Sequence, residues 1–486
     1  MKNPFVCTIE NPDRSERYAP IDPENLCQFV SICNCQGIRI KSMKKILIAN
    51  RGEIVLRVIR AARELGIKTV AVYSDVDKEA VHVRAADEAF NIGTPPPPFS
   101  YLSIENILKA VNESGADAVH PGYGFLSENA DFAQAVVDNG TMWIGPSPEV
   151  LRNIESKSYC RSLGNKVDVP ITPGTVGSVK DADEIRALFR ELGGPLLVKL
   201  DKGGGGKGIQ PIHSEEDIEN IFESSQSIGK AAFGSSDCYI EKRIINPRHI
   251  EVQFLGDMYG NYVTLGEREC SVQRRYQKVI EEAPSPVVTA EERKKLEQWA
   301  IKIVREMNYV NAGTVEFLRA DDGKFYFMEV NARIQVEHPV TEMITGVDLV
   351  KSQLKIASKE KLDIMQDDIR LNGHAIEARI YAEDPETFMP SPGTVERVVL
   401  PVNRDGIRID HALEDGVKVS PFYDPMLAKA ITWGANRPDA IAKMKSLLEE
   451  VAIEGVKTTI PLEQKILNSD VFVRGEFTTD SMKDIL

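Results

Sequence analysis

Cysteine is scarce and poorly placed for cross-linking. Of seven in 486 residues, Cys7, Cys27, Cys33 and Cys35 crowd the beginning, and only Cys160, Cys238 and Cys270 follow. That excludes a disulfide framework and fits a reducing compartment, by default the cytoplasm. The Cys33-x-Cys35 spacing matches no zinc pattern, and no histidine lies near it. Positive charge is also short: 59 Lys and Arg face 73 Asp and Glu, a formal charge of −14. This argues against non-specific binding to nucleic acid or anionic membrane, and anionic substrates need a local basic pocket. No run approaches the ~20 consecutive apolar residues of a membrane span. The N-terminus lacks the basic stretch and apolar core of a secretory signal. What is present, 42% apolar and 27% charged residues, is ordinary soluble globular usage at a length that predicts several cores.

Residues 1–42 carry Pro4, Pro12, Pro20 and Pro23 without helical or strand periodicity, and read as an appended extension. Patterning begins at Met43. Lys44 to Asn50 is a strand, and Ile54, Val58, Ala61 and Leu65 recur at helical spacing until Gly66. Thr69–Tyr73 is the next strand, a helix covers Ile104 to Val111, and Ala116–His120 is a further strand. Alternating β and α elements predict a parallel, doubly wound α/β sheet, with a ligand loop at His120–Asn129 beyond a strand's carboxyl end. The Pro95–Pro98 run reads as a stiff linker.

Gly203, Gly205 and Gly208 formally satisfy G-x-G-x-x-G, but Pro211 stands where the dinucleotide-binding helix has to begin. A Walker A loop also fails, because Gly208 follows Lys207 where Ser or Thr is required. A strand (Pro195–Lys199), a glycine loop and a second strand remain. Such a loop can close over phosphates, with Lys199 adding positive charge; the alternative is a floppy hairpin tip.

Two β-rich runs flank Asp322-Gly323 and predict a hairpin. If those two residues are the loop, Glu316 sits opposite Glu329; a longer turn breaks that register. Period-two alternation continues past the strand, with Glu329, Asn331, Arg333, Gln335 and Glu337 on one side and Tyr326, Met328, Val330, Ala332, Ile334 and Val336 on the other. Opposed carboxylates are destabilising unless a cation bridges them. Oxygen donors on Glu316, Glu329 and Asn331 suit Mg²⁺ or Mn²⁺.

Lysine and glycine for phosphate and carboxylates for a hard cation describe an ATP-grasp ligase. The strings Asn50-Arg51-Gly52-Glu53-Ile54, His120–Asn129, Asn246-Pro247-Arg248-His249, Glu281-Glu282-Ala283-Pro284 and Arg333–Glu342 closely resemble biotin carboxylase, from Met43 to near the C-terminus. The resemblance implies a Rossmann-like domain at 43–155, an ATP-grasp domain at 156–372 with a lid about 171–243, and an α+β C-terminal domain at 373–484. It implies that ATP and bicarbonate give carboxyphosphate, whose CO₂ passes to N1 of biotin. Lys157, Lys199, His249, Gly205 and Gly206 then contact nucleotide and phosphate, with Glu241, Lys242, Arg243 and Ile244 as the adenine hinge. Glu316, Glu329 and Asn331 become the metal set. Glu337 resembles the base for bicarbonate, and Arg333 the group holding bicarbonate and the biotin enolate. Lys278, Gln335 and Val336 resemble bicarbonate contacts, and Arg379 a biotin-site residue. The chain departs from the family at Tyr276, an expected nucleotide contact that is histidine in the best-known members, and at Leu200-Asp201-Lys202, where small residues are usual.

The nearest string to the carrier's Ala-Met-Lys-Met is Ala442-Lys443-Met444-Lys445, on an amphipathic helix. The expected partners are therefore a separate biotin carboxyl carrier protein and a carboxyltransferase subunit, with a homodimer implied by resemblance alone. An acyl-CoA carboxylase is the leading assembly, a pyruvate or 2-oxoglutarate carboxylase the alternative. A carbamoyl-phosphate-synthetase-like ligase, a non-catalytic ATP sensor and a dehydrogenase are the competing readings.

Overall fold

The computed structural model describes residues 43–201, 208–402 and 404–485. The N-terminal extension with its four cysteines lies outside the described residues. So do Lys202, Lys207 and the expected phosphate contacts Gly205 and Gly206.

Short apolar runs with buried side chains build the first sheet: β1 (Lys45–Ile48), β2 (Lys68–Tyr73), β3 (Glu88–Asn91), β4 (Ala118–His120) and β5 (Met142–Trp143), all parallel, in the order β3-β2-β1-β4-β5. The helix Glu53–Glu64 crosses from β1 to β2 and ends where Gly66 takes φ 71°. A second crossover, Ile104–Ser114, is capped by the Ser103 side chain and stopped by left-handed Gly115. The strand order reverses between β1 and β4, the usual place for a ligand crevice in an open α/β sheet. There the loops after both strands are joined: Asn50 Nδ2 donates to the carbonyls of Pro121 at 2.8 Å and Tyr123 at 2.7 Å. Gly122 permits this approach, since its φ is 64° and an added Cβ would lie 2.8 Å from that nitrogen.

A small antiparallel sheet, β7-β6-β8, follows: β6 (Leu196–Leu200), β7 (Ile209–Ile212) and β8 (Cys238–Lys242). With the helices Ala182–Leu192 and Ile218–Phe233 it encloses a core of its own, including Ile185, Leu196, Val198, Ile218 and Ile240. Strand, not helix, follows the glycine loop, and Pro211 sits within it. The geometry of a dinucleotide site is therefore missing there, as the proline predicts.

The largest sheet has eight strands in the order β13-β12-β9-β10-β11-β14-β19-β17. They are β9 (Arg248–Gly256), β10 (Tyr262–Arg274), β11 (Gln277–Ala283), β12 (Asn311–Arg319), β13 (Phe325–Asn331), β14 (His374–Tyr381), β17 (Ile407–His411) and β19 (Met426–Gly434). Two ribbons flank it, β15 (Gly393–Thr394) with β18 (Lys418–Val419), and β16 (Arg397–Val399) with β20 (Ala452–Glu454). The sheet runs without a break through the boundary expected near residue 372, because β11 pairs with β14.

The β12–β13 hairpin corrects the expected turn while keeping the expected pair. Its loop is longer than Asp322-Gly323: Ala320 N bonds Lys324 O and Gly323 N bonds Ala320 O. Phe317 accordingly pairs with Phe327, but a bulge at Met328 resets the register, and Glu316 does pair with Glu329. The bulge also reverses the faces on its near side. Phe325 and Phe327 are buried, while Tyr326 and Met328, expected in the core, are partly exposed. Strand β13 ends at Asn331, so Arg333, Gln335 and Glu337 lie on an irregular segment leading into the helix His338–Thr345, not on a continued strand.

Candidate active site

Period two along β9 sends His249, Glu251 and Gln253 to one face. Pairing across the sheet then lines up Arg268 on β10, Glu251 on β9, Glu316 on β12 and Glu329 on β13 in a single cross-strand row. Three adjacent carboxylates are untenable without cations, and the sequence supplies them. Arg268, wholly buried, bonds Glu251. Lys278 Nζ lies 2.7 Å from Glu251, 3.4 Å from Glu316 and 2.6 Å from Glu337. His249 Nε2 is 3.0 Å from Glu316, and Gln273 donates to its Nδ1 at 2.7 Å. Lys157 pairs with Glu329. Burial disfavours charge on Glu316, yet Lys278 and His249 outweigh it and hold the carboxyl far below its ordinary range. Burial likewise opposes protonation of His249, and Glu316 raises its pKa regardless.

The helix Lys157–Lys166 joins this row to the small sheet. Lys157 and Arg161 stand one turn apart on it; Lys157 reaches Glu329, and Arg161 reaches Glu241 on β8. Lys199 on β6 pairs with the same Glu241. The Asp201 departure has a local role: its carboxylate accepts from Ser158 N at 2.7 Å and Ser156 Oγ at 3.0 Å, fastening the start of the glycine loop to that helix's N-terminus. Of the expected hinge, Glu241 alone joins this charged cluster. Lys242 Nζ turns to the Leu192 carbonyl at 2.8 Å, Arg243 N bonds Pro195 O, and Ile244 is half-buried in the following loop. Tyr276 stands 65% exposed at the β10–β11 turn.

Beyond β13, side chains replace the sheet ladder in fixing the backbone. Arg333 donates to Glu128 at 2.9 Å, Gln335 Oε1 at 3.0 Å and Asn331 Oδ1 at 3.1 Å, and Ala332 N bonds the other Glu128 oxygen. Gln335 Nε2 reaches Glu316 at 3.3 Å. The Val336 carbonyl accepts from buried Lys429 at 2.8 Å. Glu337, fully buried, is gripped by Lys278 and by Arg379 Nη2 at 2.8 Å. Burial would raise its pKa, but Lys278, Arg379 and Arg268 keep it well below the usual carboxylate range. His249, Lys278, Glu316, Asn331, Arg333, Gln335, Glu337 and Arg379 thus belong to one bonded network, while the Lys157–Glu329 pair adjoins it through the β12–β13 pairing and Lys199, with Glu241, through the helix Lys157–Lys166.

Sequence reasoning missed Glu251, Arg268, Glu128, Arg161 and Lys429. The alternation His249-x-Glu251-x-Gln253 inside an otherwise apolar strand was the available signal for the first. Glu128 lay within the His120–Asn129 loop already read as a ligand loop without being singled out, and the remaining three act through contacts that no local pattern marks.

Residues 42–151 match the family described as biotin carboxylase, N-terminal domain, and 377–484 match the biotin carboxylase C-terminal domain. The stretch between, 156–365, matches the ATP-binding domain of the carbamoyl-phosphate synthase L chain, which alone would leave two ligases open. The flanking matches decide between them. The chain belongs to the biotin carboxylase family. Biotin carboxylase 1 of Bacillus subtilis is 48% identical over 439 residues, 90% of this chain and 97% of that one. The 2-oxoglutarate carboxylase small subunit of Hydrogenobacter thermophilus is 47% identical over 442 residues, 91% of this chain and 93% of its own. Among solved structures, the biotin carboxylase domain dimer of Hydrogenobacter thermophilus 2-oxoglutarate carboxylase, in complex with MgADP, ADP and bicarbonate, superposes with a TM-score of 0.88. It is 46% identical, covering 91% of this chain and 98% of that one. The biotin carboxylase fold predicted from the sequence is therefore the fold observed.

Proposed function

We propose that this chain uses ATP and bicarbonate to carboxylate biotin held on a separate carrier protein, the first half-reaction of a biotin-dependent carboxylase. The observation that carries the reading is Glu337: a wholly buried carboxylate kept ionised by Lys278 and Arg379, four residues from the planar guanidinium of Arg333. Glu337 takes the proton of bicarbonate, and Arg333, with Lys278, Gln335 and Val336, holds the resulting small oxyanion. A bicarbonate oxygen displaces ADP from the γ-phosphate to give carboxyphosphate, which breaks into CO₂ and phosphate; the CO₂ bonds to biotin N1 as the N1 proton leaves to that phosphate. Arg333 stabilises the biotin enolate, and Arg379 lines the biotin site.

Lys157, Lys199 and His249 bind the nucleotide phosphates, with Glu241–Ile244 at the adenine, Tyr276 at the site's rim, and the small sheet with its glycine loop as the lid, in a division at 43–155, 156–372 and 373–484. The donor set fits a hard dication, since Glu316 and Glu329 are cross-strand neighbours whose charge already requires cations and Asn331 adds an amide. Mg²⁺ or Mn²⁺ on these three residues supplies charge neutralisation for the phosphates.

Biotin arrives on a biotin carboxyl carrier protein. The one similar string here is built into the fold: Met444 is fully buried, and Lys443 donates to the Trp433 carbonyl at 3.0 Å. A carboxyltransferase subunit completes the assembly. We place it in an acyl-CoA carboxylase, with pyruvate and 2-oxoglutarate as the alternative acceptors, and as a cytoplasmic homodimer. Among the described residues no helix is long and apolar enough to cross a membrane.

Steady-state ATP hydrolysis by the purified chain, with bicarbonate and free biotin varied, tests the reading. Turnover that needs both is expected. Turnover indifferent to biotin overturns it, and turnover that needs ammonia selects the carbamoyl-phosphate type.

A further inference from the structure

Glu337 poses a problem that the reaction leaves unsolved. Its partners Lys278, Arg379 and Arg268 keep it ionised, but they also make it a weak base, whereas a general base works best with a pKa near the working pH. Behind Arg379 lies a second pair of acids that the mechanism does not use. Glu281 on β11 and Glu377 on β14 are direct cross-strand partners, and both are 0% exposed. Apart from an ion pair of Glu281 with Arg379, their four oxygens are buried with no hydrogen-bond donor among the described residues. So many unanswered acceptors beside one guanidinium call for a functional explanation.

Two carboxyls facing each other in a desolvated layer cannot both ionise, so the pair retains a proton. The charged groups around it decide which member keeps it. Arg379, Lys278 and Glu337 face Glu281, while Glu377 is set among Lys429, Glu281, Arg379 and Glu337, with Tyr123 packed nearby. The guanidinium contact goes to Glu281. Moreover, the same Nη2 of Arg379 serves Glu281 and Glu337, so charge on Glu281 draws Arg379 away from Glu337 and repels the Glu337 carboxylate directly.

We propose that Glu281 and Glu377 form a proton-sharing pair in which Glu377 keeps the proton and ionised Glu281, acting through Arg379, restores basicity to Glu337. Glu281 is a positioning residue for the reaction read above, and the inference rests on that reading. Burial pushes Glu281 up to about 7, in the physiological range, and pushes Glu377 well above the ordinary carboxylate range.

The test is the pH dependence of kcat for biotin-dependent ATP turnover, with Glu281→Gln and Glu377→Gln as near-isosteric neutral variants. Wild-type kcat is expected to rise through about pH 7. Glu281→Gln loses that rise and at least about tenfold of kcat at alkaline pH, with ATP affinity unchanged within about twofold. Glu377→Gln keeps the rise and stays within about threefold of wild type. A Glu281→Gln profile superimposable on wild type, or a Glu377→Gln profile without the rise, overturns the proposal. Difference infrared spectroscopy gives a second measurement that needs no turnover. The wild-type protein should show one carboxyl C=O band that titrates near neutrality and is missing from Glu281→Gln, and another that persists above it and is missing from Glu377→Gln, which separates the pair from other carboxyls with raised pKa values, Glu297 and Glu463 among them. Absence of both bands overturns the pair, whereas their presence without biotin-dependent turnover overturns only the functional reading.

Discussion

Lys278 shows how much one side chain can carry. Its buried ammonium answers Glu251, Glu316 and Glu337; burial lowers its pKa, and the three carboxylates more than offset that and hold it well above the ordinary value. Glu337 and Arg333 occupy opposite ends of one short irregular segment and have different tasks, so their variants should differ from a general loss of structure. Glu337→Gln and Arg333→Ala are expected to lower kcat for biotin carboxylation by about 10²-fold or more while ATP binding stays measurable, because neither contacts the small sheet or Lys199. Calorimetric titration with ATP beside a carboxylation assay checks this. The two residues were legible because the strings around residues 333–342 resemble a family, and the tasks given to them are the proposed ones. The partners of Lys278 were not, since Glu251 lies 27 positions away and is read from sequence as one more charged residue.

At the level of elements, the β12–β13 hairpin was readable from two β-rich runs around Asp-Gly, and the Glu316–Glu329 pairing was named correctly for an incomplete reason. A longer turn and a bulge at Met328 compensate each other. No local propensity specifies a bulge, because it is set by what the neighbouring strands need. The β10–β11 turn was not read at all. Arg275 and Tyr276 hold φ 50° and 66°, a left-handed pair that L side chains other than Asn and Asp adopt reluctantly. Replacing them with Asn-Gly is expected to stabilise the chain by about 1 kcal/mol through relief of left-handed backbone strain, read as a shift of the urea midpoint. An accompanying rise in KM for ATP would report the nucleotide contact expected of Tyr276.

Across the whole molecule, the parallel opening sheet was visible in its alternating apolar runs. The eight-stranded sheet was not, since its order depends on pairings such as β12 with β9 and β11 with β14 that no window of sequence contains. Histidines tie distant parts together and give stability a pH signature. His120, fully buried, accepts from Gly122 N at 3.0 Å and meets Gln353 at 3.2 Å; burial lowers its pKa to about 4. Because the folded value lies below the unfolded value of about 6.5, this contribution is present above that pH and is lost as pH falls towards 4. Its ceiling is about 3 kcal/mol. Carboxyls with raised pKa values, Glu281 and Glu463 among them, act in the opposite sense, so the useful measurement is a difference. The stability gap between wild type and His120→Gln in urea melts should narrow as pH is lowered from about 6.5 to about 4.

Lys157 and Arg161, on one helix, are already engaged, the first by Glu329 and the second by Glu241, while Lys199 shares Glu241. Among the described residues, Lys157, Arg161 and Lys199 are therefore all paired, and a triphosphate that binds them has to take over a partner. On the proposed reading, a phosphate that claimed Lys157 would leave Glu329 a bare carboxylate, and a divalent cation would be the complement it then lacked. Nucleotide and metal would in this sense be two halves of one exchange of ion pairs, each raising the affinity for the other.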